Sequence, residues 1–117
     1  MQENELYSKI VERIKNEDCH VSEATAKTIQ ESFAQAKGED GVALQLFEEM
    51  AELTERISKL LRGKIKKYDV TLLEEVADVE VSLSTFKMII GADEEMLQYI
   101  KDIKLERALD RLRKGEE

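Results

Sequence analysis

The chain has 117 residues, 42% hydrophobic and 38% charged, with no proline, five glycines and a formal net charge of −8. This length is typical of one domain with a real core, and the absence of proline favours long helices over a turn-rich β fold. The acidic balance argues against attraction to a nucleic-acid backbone or an anionic membrane, so a bound polyphosphate would need cations.

Two helices are predicted in the first third of the chain. The first covers roughly residues 4–15, where apolar side chains recur at helical spacing before a polar run. Ser22 can cap a second helix that extends to about Lys37, and Gly38 lies just past its end. These two helices form the N-terminal part of the predicted fold.

The third and fourth helices have clearer boundaries. The third is predicted to begin after Asp40, a good N-cap residue, and to stop at Arg62–Gly63. A basic loop then leads to Thr71, which forms a capping-box signature with Glu74 three residues later. We therefore expect the fourth helix to begin there.

The fourth helix is predicted to have two apolar faces on nearly opposite sides. One face comprises Leu72, Val76, Val79, Leu83, Phe86 and Ile90. The other comprises Leu73, Ala77, Val81 and Met88. Each apolar face needs a packing partner, and a chain with so few helices has little with which to cover both faces. We therefore expect a homodimer or a higher oligomer.

Acidic pairs lie beside the apolar stripes of both long helices. Glu49 and Glu52 lie roughly 60° to 120° from the middle of one stripe, and Glu75 and Asp78 have the same offset on the next helix. A short loop makes the two helices antiparallel neighbours, so the pairs can converge. Four close carboxylates repel one another unless some are protonated or a divalent cation binds them. The oxygen ligands favour Mg²⁺, for which Mn²⁺ can substitute.

The segments Glu48–Glu52 and Glu75–Asp78 together resemble the EExxE…ExxD signature of the MazG-like all-α NTP pyrophosphohydrolases. The resemblance extends over about Gln45 to Arg113. It implies an all-α bundle of four to five helices that is completed by oligomerisation into a homodimer or a homotetramer. Within a single domain, residues 1–38 would form an N-terminal helical segment and residues 39–117 the MazG-like core.

The resemblance also implies a site and a reaction. Glu49, Glu52, Glu75 and Asp78 would hold Mg²⁺, while Glu48 and Glu49 would be catalytic, Glu48 near the attacking water. Water would attack the α-phosphorus of a ribo- or deoxyribonucleoside triphosphate and give the monophosphate and pyrophosphate. Such an enzyme would act in nucleotide-pool control or house-cleaning.

A last helix is predicted after Asp93. Its apolar residues at helical spacing are Met96, Ile100, Ile103, Leu109 and Leu112. It also carries a basic stripe, Lys104, Arg107, Arg111 and Lys114. Because the family places Lys and Arg in its last helix, Lys104 and Arg107 are the better candidates for binding the outer phosphates. The alternative is a surface stripe that pairs with acidic residues of the same helix.

Other interpretations remain open. Acidic residues three apart usually form a solvated helix face, so the chain could be a non-enzymatic helical-bundle adaptor or oligomerisation protein, or a regulator without turnover. A test of metal binding would distinguish the enzyme from an adaptor, because an adaptor has no use for converging carboxylates. Cys19 and His20 lack the companions that a zinc or di-iron site needs.

Two further properties follow from the residue inventory. A single cysteine excludes an intrachain disulfide framework, and no N-terminal apolar run has the length of a signal peptide or membrane span, so we expect a cytoplasmic protein. The nucleobase is not specified by the sequence. Its candidate stacking partners are Phe33, Phe47, Tyr68, Phe86 and Tyr99.

Overall fold

The structure, a computed structural model, describes residues 3–16 and 21–115, in which every regular element is an α-helix. The helices are α1 (Glu3–Lys15), α2 (Glu23–Leu61), α3 (Val70–Ile89) and α4 (Glu94–Arg113). The predicted all-α fold is therefore confirmed. None of the four helices is both long enough and apolar enough to span a bilayer. Cys19 and His20 lie outside the described residues.

Helix α2 is kinked at Gly38, whose backbone dihedrals are φ 75° and ψ 170°. Such angles strain any residue that has a Cβ, so glycine suits this position. The predicted break between the second and third helices at Gly38 is therefore confirmed. The backbone is helical again from Glu39, so the prediction that Asp40 caps the following helix is wrong. We call residues 23–37 the N-terminal arm of α2 and residues 39–61 its long arm.

Side-chain caps fix where the helices begin. The Ser22 hydroxyl accepts a hydrogen bond from the backbone N–H of Thr25 at 3.1 Å, and Asp93 caps α4 as predicted. The fourth helix of the sequence analysis is α3 of the structure, and its predicted start at Thr71 is wrong. Asp69 is the N-cap, because its carboxylate accepts from the backbone N–H of Thr71 at 2.8 Å and from the Thr71 hydroxyl. These bonds lower the pKa of Asp69 below its usual value.

The core of the chain lies between α2 and α3, which form the main helix–helix contact, and α1 also packs against α3. Val42 of α2 is 1% exposed, and Leu72 and Thr85 of α3 are buried. In the described part of the chain, α4 packs against no other helix, although Lys87 forms a 2.8 Å ion pair with Glu94 at its start. The fold therefore consists of the packed α2–α3 pair, with α1 against α3 and with α4 extending away from them.

The chain is also more extended than a compact domain. Its radius of gyration is 17.6 Å, compared with about 13 Å expected for a compact domain of this length. Part of the predicted second face of α3 remains accessible, since Leu73, Ala77 and Val81 are exposed. A single copy therefore leaves apolar surface on α3 in contact with water.

Candidate metal centre

The four acidic residues predicted as metal ligands lie together between α2 and α3. One carboxylate oxygen from each of Glu49, Glu52, Glu75 and Asp78 lies within 4.8 Å of the others. Each helix contributes two residues spaced by three, which places both side chains on the same helix face. The structure thus brings together four side chains from two separate segments of the chain.

The pairing across the interface follows from the antiparallel arrangement of the helices. Glu49, the earlier residue of α2, contacts Asp78, the later residue of α3, and Glu52 contacts Glu75. Each carboxyl group therefore faces another acid rather than a base. Neither of the ion pairs found in the described part of the chain involves these residues.

Two oxygens of the cluster are buried without a hydrogen-bond partner in the described chain. They are Oε2 of Glu49 and Oε2 of Glu75. A buried polar atom without a partner costs about 1–3 kcal/mol, and more when the group is charged. The cluster thus has acceptor oxygens that a cation or a proton would satisfy.

Burial and repulsion both disfavour ionisation of these carboxyl groups. Burial raises the pKa of Glu75 from 4.5 to about 7, and a hydrogen bond that protonated Glu75 donates to Glu52, together with charge repulsion from Glu52, adds to the effect. Burial also raises the pKa of Glu49, where repulsion by Asp78 adds to the effect and a hydrogen bond from Gln45 opposes it. The pKa of Asp78 is raised by burial and by repulsion from neighbouring acids. Without a cation, Glu75 therefore retains a proton up to about pH 7, and the ionised forms of Glu49 and Asp78 are also disfavoured.

The donor set and its spacing fit a hard divalent cation. Mg²⁺ binds oxygen ligands at about 2.0–2.1 Å, so oxygens on one ion lie about 3–4 Å apart. The 4.8 Å spread of the cluster is only slightly larger, and side-chain rotation can close the difference. Exposed Glu52 borders solvent, which leaves a side open to water or phosphate oxygens. These four residues could therefore hold Mg²⁺ or Mn²⁺.

Gln45 is a neighbour of the site to which the sequence analysis assigned no role. Its Nε2 donates to Oε1 of Glu49 at 2.6 Å, one helical turn away. This bond engages Oε1 of Glu49, while Oε2 of the same carboxylate is buried without a hydrogen-bond partner in the described chain. A Gln and a Glu four residues apart on a helix are the signal that could have identified it.

The structure does not place the other predicted site residues in the cluster. Glu48 is exposed and is not among the four converging carboxylates. Lys104 and Arg107 are exposed on α4, which packs against neither helix of the cluster. Their roles in catalysis and phosphate binding stay predictions.

A cavity of about 290 Å³ adjoins the cluster, between the N-terminal arm of α2 and α3. Its lining residues are Ile29, Gln30, Phe33, Val42, Gln45, Glu49, Asp78, Val81, Ser82 and Thr85. Of the five aromatic residues considered for base stacking, Phe33 is the one in this lining. The cavity was not predicted, because its walls come from segments about fifty residues apart in the sequence.

Comparisons with known protein families, with curated proteins and with solved structures each find no match for this chain. The resemblance to the MazG-like family therefore depends on the two acidic motifs. Their convergence in space is compatible with the EExxE…ExxD signature. What is shown is an all-α protein with an acidic cluster suited to a metal ion.

Proposed function

We propose that this chain is a Mg²⁺-dependent nucleoside triphosphate pyrophosphohydrolase that converts a ribo- or deoxyribonucleoside triphosphate to the monophosphate and pyrophosphate. It would act in nucleotide-pool control or house-cleaning, as a homodimer or homotetramer. The proposal combines the motif resemblance with the local chemistry of the cluster. Its class is that of hydrolases acting on phosphoric anhydrides.

The observation that carries the proposal is the convergence of Glu49, Glu52, Glu75 and Asp78, with buried, unpartnered oxygens on Glu49 and Glu75. A solvated acidic face would spread its charges apart and leave them in water. Here each acid faces another acid at an interface, an arrangement that repels unless a cation binds. A divalent cation explains this geometry better than a surface role does.

Bound Mg²⁺ would supply charge neutralisation for the phosphates and a water of lowered pKa as nucleophile. The chain's own residues would hold the reacting groups in place. Gln45 orients Glu49 through their 2.6 Å hydrogen bond, and exposed Glu48 on the same helix is the candidate for contact with the attacking water. Water attack at the α-phosphorus would leave the label of ¹⁸O-water on the monophosphate.

A screen of nucleoside triphosphates in ¹⁸O-labelled water with Mg²⁺ tests the reaction. We expect monophosphate carrying the label and unlabelled pyrophosphate in one step, with no diphosphate intermediate. Label in orthophosphate would contradict attack at the α-phosphorus. Absence of turnover and of Mg²⁺ binding would favour the alternative, a helical-bundle adaptor.

The exposed apolar residues of α4 are the observation that favours the adaptor alternative. An adaptor would use that surface to bind a partner and would leave the carboxylates idle. An enzyme that oligomerises would use the same surface between its own copies. Metal binding distinguishes the two proposals, because it depends on α2 and α3 alone.

A further inference from the structure

The cavity beside the carboxylates has two chemically different ends. One end is formed by Glu49 and Asp78 of the cluster, and the other by Gln30 and Thr85. Apolar side chains of α2 and α3 form the walls between the ends. A ligand held by its charged end at the cluster would extend its remaining part along this cavity. Its volume of about 290 Å³ is close to the lower end of the range for ligand pockets, about 300–1,000 Å³.

Charge decides which part of a ligand the cavity suits. Among its lining residues there is no Lys or Arg, and the two charged ones, Glu49 and Asp78, are acidic. Phosphates would be repelled there unless a metal ion were bound at the cluster. The body of the cavity, lined by Ile29, Phe33 and Val81, instead suits an uncharged ring, which can pack against the Phe33 side chain.

Gln30 gives the far end of the cavity a fixed polarity. Its Nε2 donates to the hydroxyl of Thr85 at 3.1 Å and to the carbonyl of Val81 at 3.4 Å. The Thr85 hydroxyl in turn donates its single proton to the Val81 carbonyl at 3.1 Å. Thr85 can therefore only accept from Gln30, which assigns the amide nitrogen to α3.

The amide oxygen of Gln30 is consequently the atom left for a ligand. Within residues 3–16 and 21–115, no protein group donates a hydrogen bond to this oxygen. An oxygen held in place beside an apolar wall selects a ligand edge that presents an N–H group. A nucleobase combines a planar ring with such an edge.

We propose that this cavity is the nucleobase subsite of the enzyme, with Gln30 Oε1 accepting from the base edge and Phe33 packing against the ring. The inference rests on the proposed function and adds its specificity determinant. It assigns that role to the N-terminal arm of α2, which precedes the segment resembling the MazG-like family. The kink at Gly38 separates this arm from the long arm that carries Glu49.

Binding measurements with two kinds of probe test the subsite. The first is the set of four 2′-deoxynucleoside α,β-methylene triphosphates with Mg²⁺, which have a base. The second is inorganic tripolyphosphate with Mg²⁺, which has none. We expect Gln30→Leu to weaken binding of the preferred nucleotide about tenfold and to reduce the preference among bases, because one hydrogen bond is lost. Tripolyphosphate affinity should stay unchanged.

Gln35→Leu is the matched control, because Gln35 is an exposed glutamine of the same arm and does not line the cavity. It should leave both affinities as in the wild type. Thr85→Val provides a second, nearly isosteric variant that removes the hydroxyl fixing Gln30. It should also weaken nucleotide binding selectively, whether or not Gln30→Leu folds.

Two results would overturn the subsite. One is unchanged nucleotide affinity and base preference in both variants, and the other is an equal loss of nucleotide and tripolyphosphate affinity. Failure of the proposed function would look different, since the wild type would then bind neither probe with Mg²⁺. That outcome would exclude the subsite together with the metal–phosphate site.

Discussion

Both the α2–α3 pair and α4 carry apolar and acidic side chains, but several of those of the pair pack together, whereas nearly all of those of α4 are exposed to solvent. The pair buries Val42, Leu72 and Thr85 and brings four acids to one point. In α4, every residue from Gln98 onward is exposed, although the helix is as long as α3. Its predicted apolar residues Met96, Ile100, Ile103, Leu109 and Leu112 are 45% to 73% exposed.

This difference indicates that the two regions depend on different partners. Most helices in proteins owe their stability to packing of an apolar face rather than to intrinsic propensity. The α2–α3 pair finds that packing within the chain, whereas α4 lacks it in the described part. We therefore expect the chemistry to reside in α2 and α3 and assembly to involve α4.

The largest expected effect of a single substitution is on turnover. Glu49→Ala should lower turnover of a nucleoside triphosphate with Mg²⁺ by at least about two orders of magnitude, since it removes a proposed ligand and catalytic group. Glu106→Ala on α4 is the matched control and should leave turnover unchanged, because Glu106 is exposed and outside the cluster. Steady-state pyrophosphate release measures both. Wild-type activity in Glu49→Ala would contradict the assignment of the site.

Stabilisation by Mg²⁺ should also distinguish the two regions. A ligand that binds only the folded state at one hundred times its Kd adds about 2.7 kcal/mol to the free energy of unfolding, so the Tm of the wild type should rise by several degrees. Asp78→Asn or Glu52→Gln should abolish that gain. In the absence of Mg²⁺, both variants should be at least as stable as the wild type, because removing one carboxylate relieves the repulsion within the cluster.

Calorimetry with and without Mg²⁺ measures this effect, and circular dichroism should show unchanged helix content. The control is Asp110→Asn on α4, an exposed acid that should retain the full gain. If Mg²⁺ leaves the wild-type Tm unchanged, the metal site is excluded.

Assembly through α4 should respond to a charge placed among its apolar residues. Leu109→Glu should weaken oligomerisation by about 2 kcal/mol or more, the free energy expected from burying a leucine side chain. Light scattering across a concentration series measures the mass, with Gln98→Glu as a control at a polar position of α4. A wild type that is monomeric at high micromolar concentration would contradict the expectation of a homo-oligomer.

Local sequence signals predicted most of the fold. Ser22 and Asp93 could be identified as caps because capping depends on a side chain and an N–H only a few residues apart. The acidic cluster could be predicted because a spacing of three fixes a helix face and a short loop fixes antiparallel pairing. Each of these inferences involves helix geometry alone.

Features that depend on angles between helices could not be predicted. A glycine indicates a break, but the direction in which α2 continues past Gly38 depends on tertiary packing. That direction brings Gln30 to Thr85, fifty-five residues later, and so creates the cavity. The start of α3 was missed for a different reason, since Asp69 and Thr71 are both good caps and their competition is decided by backbone geometry.

The smallest expected effect is the pH dependence of metal-free stability, which again separates the cluster from α4. The pKa of Glu75 is raised from 4.5 to about 7 in the folded chain. Between these values the folded state holds a proton that the unfolded chain has released, so stability is fully present below the unfolded pKa and is lost as the pH rises through about 7. Solvent screening at this partly exposed site limits the size of the change.

Urea denaturation at several pH values without Mg²⁺ should show this decrease in the stability of the wild type. The difference between wild type and Glu75→Gln isolates the contribution of Glu75 from that of all other titrating groups. Glu106→Gln on α4 should leave the wild-type pH profile unaltered. A wild-type profile that parallels that of Glu75→Gln throughout this range would show that folding does not raise the pKa of Glu75.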